Sequence, residues 1–184
     1  MSKNEQNIRI EWDGPYNISD IGYVEEKEDY IKSEFNKNID TEDSDRGIYQ
    51  VYGYHPVYGD NVLLYIGKTC KQTFAKRLSQ EGWEYNQDYK NIQFYVGRLF
   101  SVNEEAIPSY DEWDILIDKA ERMLIYAHKP AQNSSNILSI RRGAELKEFE
   151  NIRIFNYDNC RSLIPEISGD LWIKEFLNYR IFGT

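Results

Sequence analysis

At 184 residues, 41% hydrophobic and 29% charged, the chain is long enough for one domain with a real hydrophobic core. No window comes near the roughly 18 uncharged apolar residues that a membrane helix needs, and the polar N-terminus lacks the apolar run of a secretory signal. Cys70 and Cys160 are too few for a disulfide framework and are not spaced as metal ligands, so a cytoplasmic location with no membrane partner is expected.

The net charge of −9 is unevenly spread. Residues 1–46 hold thirteen acidic and six basic side chains, whereas residues 47–184 hold eighteen and sixteen. From Lys68 to Arg98 the balance reverses: Lys68, Lys71, Lys76, Arg77, Lys90 and Arg98 face only Glu81, Glu84 and Asp88. Phosphate binding usually needs clustered Lys and Arg. Here the cluster is local and the far field is repulsive, which predicts modest non-specific affinity for nucleic acid.

In chain order, residues 8–12 alternate as a strand and run into the turn-prone Asp13-Gly14-Pro15. Residues 23–45 are charged and poor in aliphatics, as in a surface segment. Residues 47–54 and 62–67 are rich in β-branched and aromatic side chains and predict a β-hairpin with a long connection over 55–61. Strand alternation puts Tyr49 on the side of Val51, and Tyr65 on the side of Leu63. Thr73 stands as N-cap ahead of a short helix over 74–78, and residues 92–100 read as a third strand.

Pro108 and Ser109 precede a long helix over 111–128 whose Trp113, Leu116, Ile117, Ala120, Leu124 and Ala127 form one apolar stripe. Lys129-Pro130 ends it. Glu121 lies about 80° around the helix from Trp113, just off the stripe, and His128 lies nearer to it. A polar loop with Asn133 and Asn136 follows, then the basic pair Arg141-Arg142, a strand over 152–157 and a helix around 170–179. The order predicts an α+β fold. It has an acidic N-terminal extension (1–46), a core (47–135) and a C-terminal extension (136–184) packed on the same domain.

Gly47-Ile48-Tyr49, followed sixteen residues after Tyr49 by Tyr65-Ile66-Gly67, resembles the motif pair of the GIY-YIG nuclease superfamily. That superfamily includes homing endonucleases, a subunit of bacterial excision repair and several restriction enzymes. Three further residues stand in the family's order: Arg77 ten residues after Gly67, Glu121 on the long helix, and Asn133 closing Lys129-Pro130-Ala131-Gln132-Asn133. The resemblance covers residues 47–135. It implies a small antiparallel, three-stranded sheet flanked by helices. It also implies a metal-dependent endonuclease that hydrolyses DNA phosphodiesters in restriction or repair, with Tyr49, Tyr65, Arg77, Glu121 and Asn133 as catalytic residues. Tyr49 would be the base or orient the water, and Tyr65 would position water or phosphate.

The chemistry asked of these side chains is coherent. Arg77 can fork onto two phosphate oxygens. Glu121 would hold one Mg²⁺ (or Mn²⁺), an ion content with one carboxylate plus waters and substrate oxygens. A free tyrosine titrates near about 10, so a basic Tyr49 needs a nearby cation, for which Lys68 or a metal-bound water is the candidate. Gly47 and Gly67 would let a phosphate backbone approach closely, and Lys68, Lys76, Arg141 and Arg142 would grip it.

Taken singly, each has a plainer reading. A strand tyrosine, one of 15, is more often packing, and a helix Arg or Glu is more often a solvated surface group. Their joint occurrence carries the reading. The alternative is a non-catalytic module that keeps this fold to bind nucleic acid or protein. No separate DNA-binding module is visible, and a target of RNA instead of DNA stays open. Cutting both strands with one site per chain takes two chains, which makes a homodimer the expected assembly.

Overall fold

The structure is a computed structural model describing residues 6–17, 21–24, 27–31, 46–69, 72–83, 90–101, 110–136 and 146–172. Its strands are β1 (Gln6–Tyr16), β2 (Ile21–Val24), β3 (Lys27–Ile31), β4 (Ile48–His55), β5 (Gly59–Lys68), β6 (Gln93–Ser101), β7 (Ile152–Asp158) and β8 (Glu166–Ser168). Its helices are α1 (Phe74–Gln80), α2 (Tyr110–His128) and α3 (Leu146–Phe149). Among the described residues, strands β2 and β3 pair only with each other, and α1 packs beside them. No helix among the described residues is long and apolar enough to cross a membrane.

The three-stranded antiparallel sheet flanked by helices is not what forms. The sheet has six strands in the order β5-β4-β6-β1-β7-β8, it curls, and strand outweighs helix. It is also mixed: β1 runs antiparallel to β6, with Ile10 opposite Leu99, and parallel to β7, with Ile8 opposite Ile154. The cause is non-local. A hairpin plus β6 would leave one long edge of β6 unpaired, a row of open backbone groups that sheets do not tolerate when they are flat and apolar. Strand β1 closes that edge and brings Ile8, Ile10 and Trp12 into the core. Trp12 Nε1 then donates to Asn156 Oδ1 at 2.9 Å, tying the first strand to the seventh. The acidic N-terminal stretch thus supplies an interior strand of the sheet.

Each face of the sheet carries its own core. On one, α2 lays Ile117, Ala120, Met123 and Leu124 against Ile8, Ile10, Trp12, Ile48, Ile66 and Leu99. On the other, Phe74, Ala75 and Leu78 of α1 cover Tyr49, Val51, Phe94 and Val96. The β4–β5 connection is tighter than expected, a turn over 56–58, because both strands extend into the stretch read as loop. Register slips between Val51 and Tyr52, where β4 advances one residue while β5 advances two. As a result Leu63 packs on the α2 side and Tyr65 on the α1 side, not together as simple alternation requires. Helix α3 and strands β2, β3 and β8 are additions to the expected elements, β3 falling in the stretch read as a surface segment. The helix expected around 170–179 is present over 169–172, and the rest of it lies outside the described residues.

Candidate active site

Tyr49 projects from β4 toward α1 and is fully buried. Its ring occupies the space above Gly67 of β5: a Cβ there would stand 2.4 Å from Tyr49 Cζ and Oη and 2.7 Å from Tyr65 Cε1. Gly67 is therefore the floor on which both tyrosine rings meet, their centroids 6.1 Å apart. Gly47 is enclosed on a different ground. A Cβ on it would lie 2.2 Å from Gly97 O, and its N–H donates to Thr69 Oγ1 at 2.8 Å. Its smallness serves strand packing, so neither motif glycine presents open backbone for a phosphate.

Arg77 stands on α1 because Thr73, the N-cap, starts the helix and Phe74 and Leu78 bury the adjoining face. One guanidinium nitrogen pairs with Glu81 Oε1 at 2.5 Å, one turn on. The Tyr49 hydroxyl donates to the same oxygen at 3.2 Å. Burial pushes the Tyr49 hydroxyl far above the ordinary tyrosine value, and the Glu81 and Tyr65 charges add to that, while Arg77 opposes it. The cation beside Tyr49 is thus Arg77 and not Lys68. Tyr65 is only half-buried and stacks obliquely on Trp83 at 5.9 Å. Burial also raises its titration, as do Glu81 and Glu121, against the pull of Arg77 and Lys68.

Lys68 at the end of β5 reaches α2. Its ammonium lies 3.0 Å from Glu121 Oε2 and pairs with Asp118, one turn earlier. Glu121 is 8% exposed, and its burial raises its titration; Lys68 and Arg77 work against that rise. Hydrogen bonds and charge from the two carboxylates outweigh desolvation at Lys68 and hold its proton more tightly than usual.

Asn133 has a different task. Its Oδ1 accepts from Ile66 N and its Nδ2 donates to Ile66 O, both at 2.9 Å, while Ala131 N and Gln132 N donate to Leu63 O and Leu64 O. The loop after α2 therefore acts as a substitute neighbour for β5, the outer strand of the sheet. Both polar ends of Asn133 are spent on backbone, so it holds the strand that carries Tyr65 and Gly67. His128 is likewise structural: Nδ1 lies 2.8 Å from Leu124 O and Nε2 accepts from Ile164 N at 2.8 Å.

Tyr49, Tyr65, Arg77, Lys68 and Glu121 are brought together; Lys76 is half-buried on α1, and Arg141 and Arg142 lie outside the described residues. The reading from sequence missed Glu81 and Asp118. Their signal was helical spacing: Glu81 is four residues after Arg77 and Asp118 three before Glu121, each on its partner's face. Among the described residues no three His, Cys, Asp or Glu side chains gather as a metal-binding group. Comparison with family models, curated proteins and solved structures finds no match for this chain.

Proposed function

We propose that the chain is a metal-dependent endonuclease of GIY-YIG type that hydrolyses phosphodiester bonds in DNA. The observation that carries this reading is convergence. The rings of Tyr49 and Tyr65 lie 6.1 Å apart, Arg77 pairs with Glu81 beside Tyr49, Lys68 pairs with Glu121, and the charges of all four reach the Tyr65 hydroxyl. A hairpin and two helices, β4, β5, α1 and α2, thus supply a guanidinium, two phenols, an ammonium and a buried carboxylate.

Hydrolysis of a phosphodiester needs a positioned water, donors aimed at the charge that grows on the phosphoryl group, and help for the departing oxygen. Arg77, always charged, supplies donors for the phosphate. The half-buried Tyr65 hydroxyl is placed to orient water or a phosphate oxygen. Asp118 and Glu121 already hold a cation, the Lys68 ammonium, and their hard oxygen donors suit Mg²⁺ or Mn²⁺. When bound there, the ion would supply Lewis-acid polarisation of a phosphate oxygen. Complete burial of Tyr49 argues against a free phenolate at that position, so its neutral hydroxyl is the working form.

One observation favours a second reading, a non-catalytic binding scaffold: Arg77 and Lys68 are both already neutralised by carboxylates. Nicking of supercoiled plasmid in Mg²⁺ or Mn²⁺ separates the two. The nuclease reading expects cleavage that falls by about 10²–10³ in Arg77→Ala, the size of losing one transition-state donor, and vanishes in Glu121→Ala with folding retained. Variants that cut at the wild-type rate would refute these roles. A wild-type protein that binds duplex, single strands or RNA but never cuts would establish the scaffold.

A further inference from the structure

Two unlike carboxylates hold the Lys68 ammonium. Asp118 and Glu121 stand three residues apart on one face of α2, and Lys68 reaches both from the end of β5. Its Nζ lies 3.0 Å from Glu121 Oε2 and pairs with Asp118 Oδ1. The Glu121 side chain is 10% exposed, whereas that of Asp118 is 45% exposed. A charge buried as deeply as Glu121 is costly without a partner, and among the described residues the cation in contact with it is Lys68. A divalent ion arriving at Glu121 meets that same ammonium. Mg²⁺ sits about 2.0–2.1 Å from a carboxylate oxygen, so on Oε2 it takes the place of the Lys68 N–H. On the other oxygen of the same carboxylate it stands about 5 Å from the ammonium and repels it.

We infer that Lys68 is the resting counter-ion of Glu121, that a divalent ion must displace it, and that Asp118 retains the displaced ammonium. This rests on the nuclease reading above, in which Glu121 holds the metal. The exchange makes and breaks no covalent bond. One cation replaces another on the buried carboxylate, so Glu121 is never left uncompensated among its apolar neighbours. Lys68 already touches Asp118, and its flexible stem lets the ammonium withdraw from Glu121 without leaving that second contact. The pair that remains lies near the surface, where ion pairs are weak. A phosphate oxygen therefore competes for Lys68 more easily once the ion is seated than before. The protein's own lysine thus lowers the metal affinity of the site and sets the order in which its cations become available.

Titration of the full chain with Mn²⁺ alone, followed by electron paramagnetic resonance of the free ion, tests the displacement without nucleic acid or turnover. Lys68→Met keeps the aliphatic stem and removes the charge. It should bind Mn²⁺ at least about tenfold more tightly than wild type, because a divalent ion and an ammonium about 5 Å apart repel by that much even at the dielectric constant of water. Lys68→Gln gives the same direction if urea melts show that the methionine variant does not fold. Adding Glu121→Gln abolishes the gain, which ties it to that carboxylate. Asp118→Asn leaves the ammonium with Glu121 alone and weakens Mn²⁺ binding. In the Lys68→Met background the same change costs less, since no ammonium is there to retain. A Lys68→Met protein that binds Mn²⁺ no more tightly than wild type overturns the inference. An Asp118→Asn loss of equal size in both backgrounds overturns it too, making Asp118 a direct partner of the metal. Plasmid nicking tells the two failures apart. A wild type that nicks, with Lys68→Met no tighter for Mn²⁺, refutes the displacement alone. A wild type that neither nicks nor binds Mn²⁺, with Lys68→Met no better, refutes the nuclease reading as well.

Discussion

Replacing Asn133 by alanine removes no group from the proposed chemistry, yet it is expected to be among the costliest changes near the site. Asn133 is 4% exposed, and its amide satisfies both the N–H and the C=O of Ile66, a fully buried residue on the outer strand. A buried backbone group left without a partner costs about 1–3 kcal/mol. Two are orphaned here, and a water entering the vacated space would recover part of the loss. The expected destabilisation is therefore about 2–4 kcal/mol, which for a chain of this size lowers Tm by roughly 5–15 °C. Urea unfolding followed by the fluorescence of the four tryptophans measures it. Gln132→Ala is the control, because Gln132 serves Leu64 O through its own backbone N–H, which the substitution keeps. A loss below about 0.5 kcal/mol, the size of an ordinary surface change, would refute the view that Asn133 acts as a substitute strand.

Two further outcomes follow from contacts around the site. Burial lowers the titration of His128 from its ordinary 6.5, and its neutral ring accepts from Ile164 N. Above that ordinary value both folded and unfolded states are neutral; below it the unfolded chain takes the proton first, so stability falls with pH until the folded ring also protonates. Wild type should lose more stability between pH 7.5 and 5.5 than His128→Gln in urea melts, and equal losses would exclude His128 as the cause. Gly67→Ala drives a methyl into both tyrosine rings. It should cost about 1–3 kcal/mol and change the near-ultraviolet circular dichroism of the tyrosines, whereas an unchanged melt would mean that the rings have room to move aside.

Most elements of the core were legible because their signals are local. β-Branched and aromatic side chains mark β4 and β5, Thr73 marks the start of α1, and the apolar stripe marks α2. The stripe also placed Glu121 at its edge, where the buried carboxylate is found. Simple alternation groups Tyr65 with Leu63, whereas the bulge parts them, since a bulge changes which residues face together without leaving a signature in composition. Asn133 reads from sequence as a site residue, but only its partners reveal that its polar atoms are committed to Ile66.

What the amino-acid order determines by itself is the local elements β1, β4 to β7, α1 and α2, because turn geometry, helix capping and periodicity act over a few residues. What only the tertiary structure decides is the six-stranded sheet, in which Trp12 meets Asn156 and β1 runs beside β7. It also decides which charges neutralise which at the site. Lys68 pairs with Asp118 and Glu121, and Tyr49 gives its hydroxyl to Glu81. Strand pairing and burial join residues far apart in the chain, and desolvation, the largest influence on Tyr49 and Glu121, exists only once those joins are made.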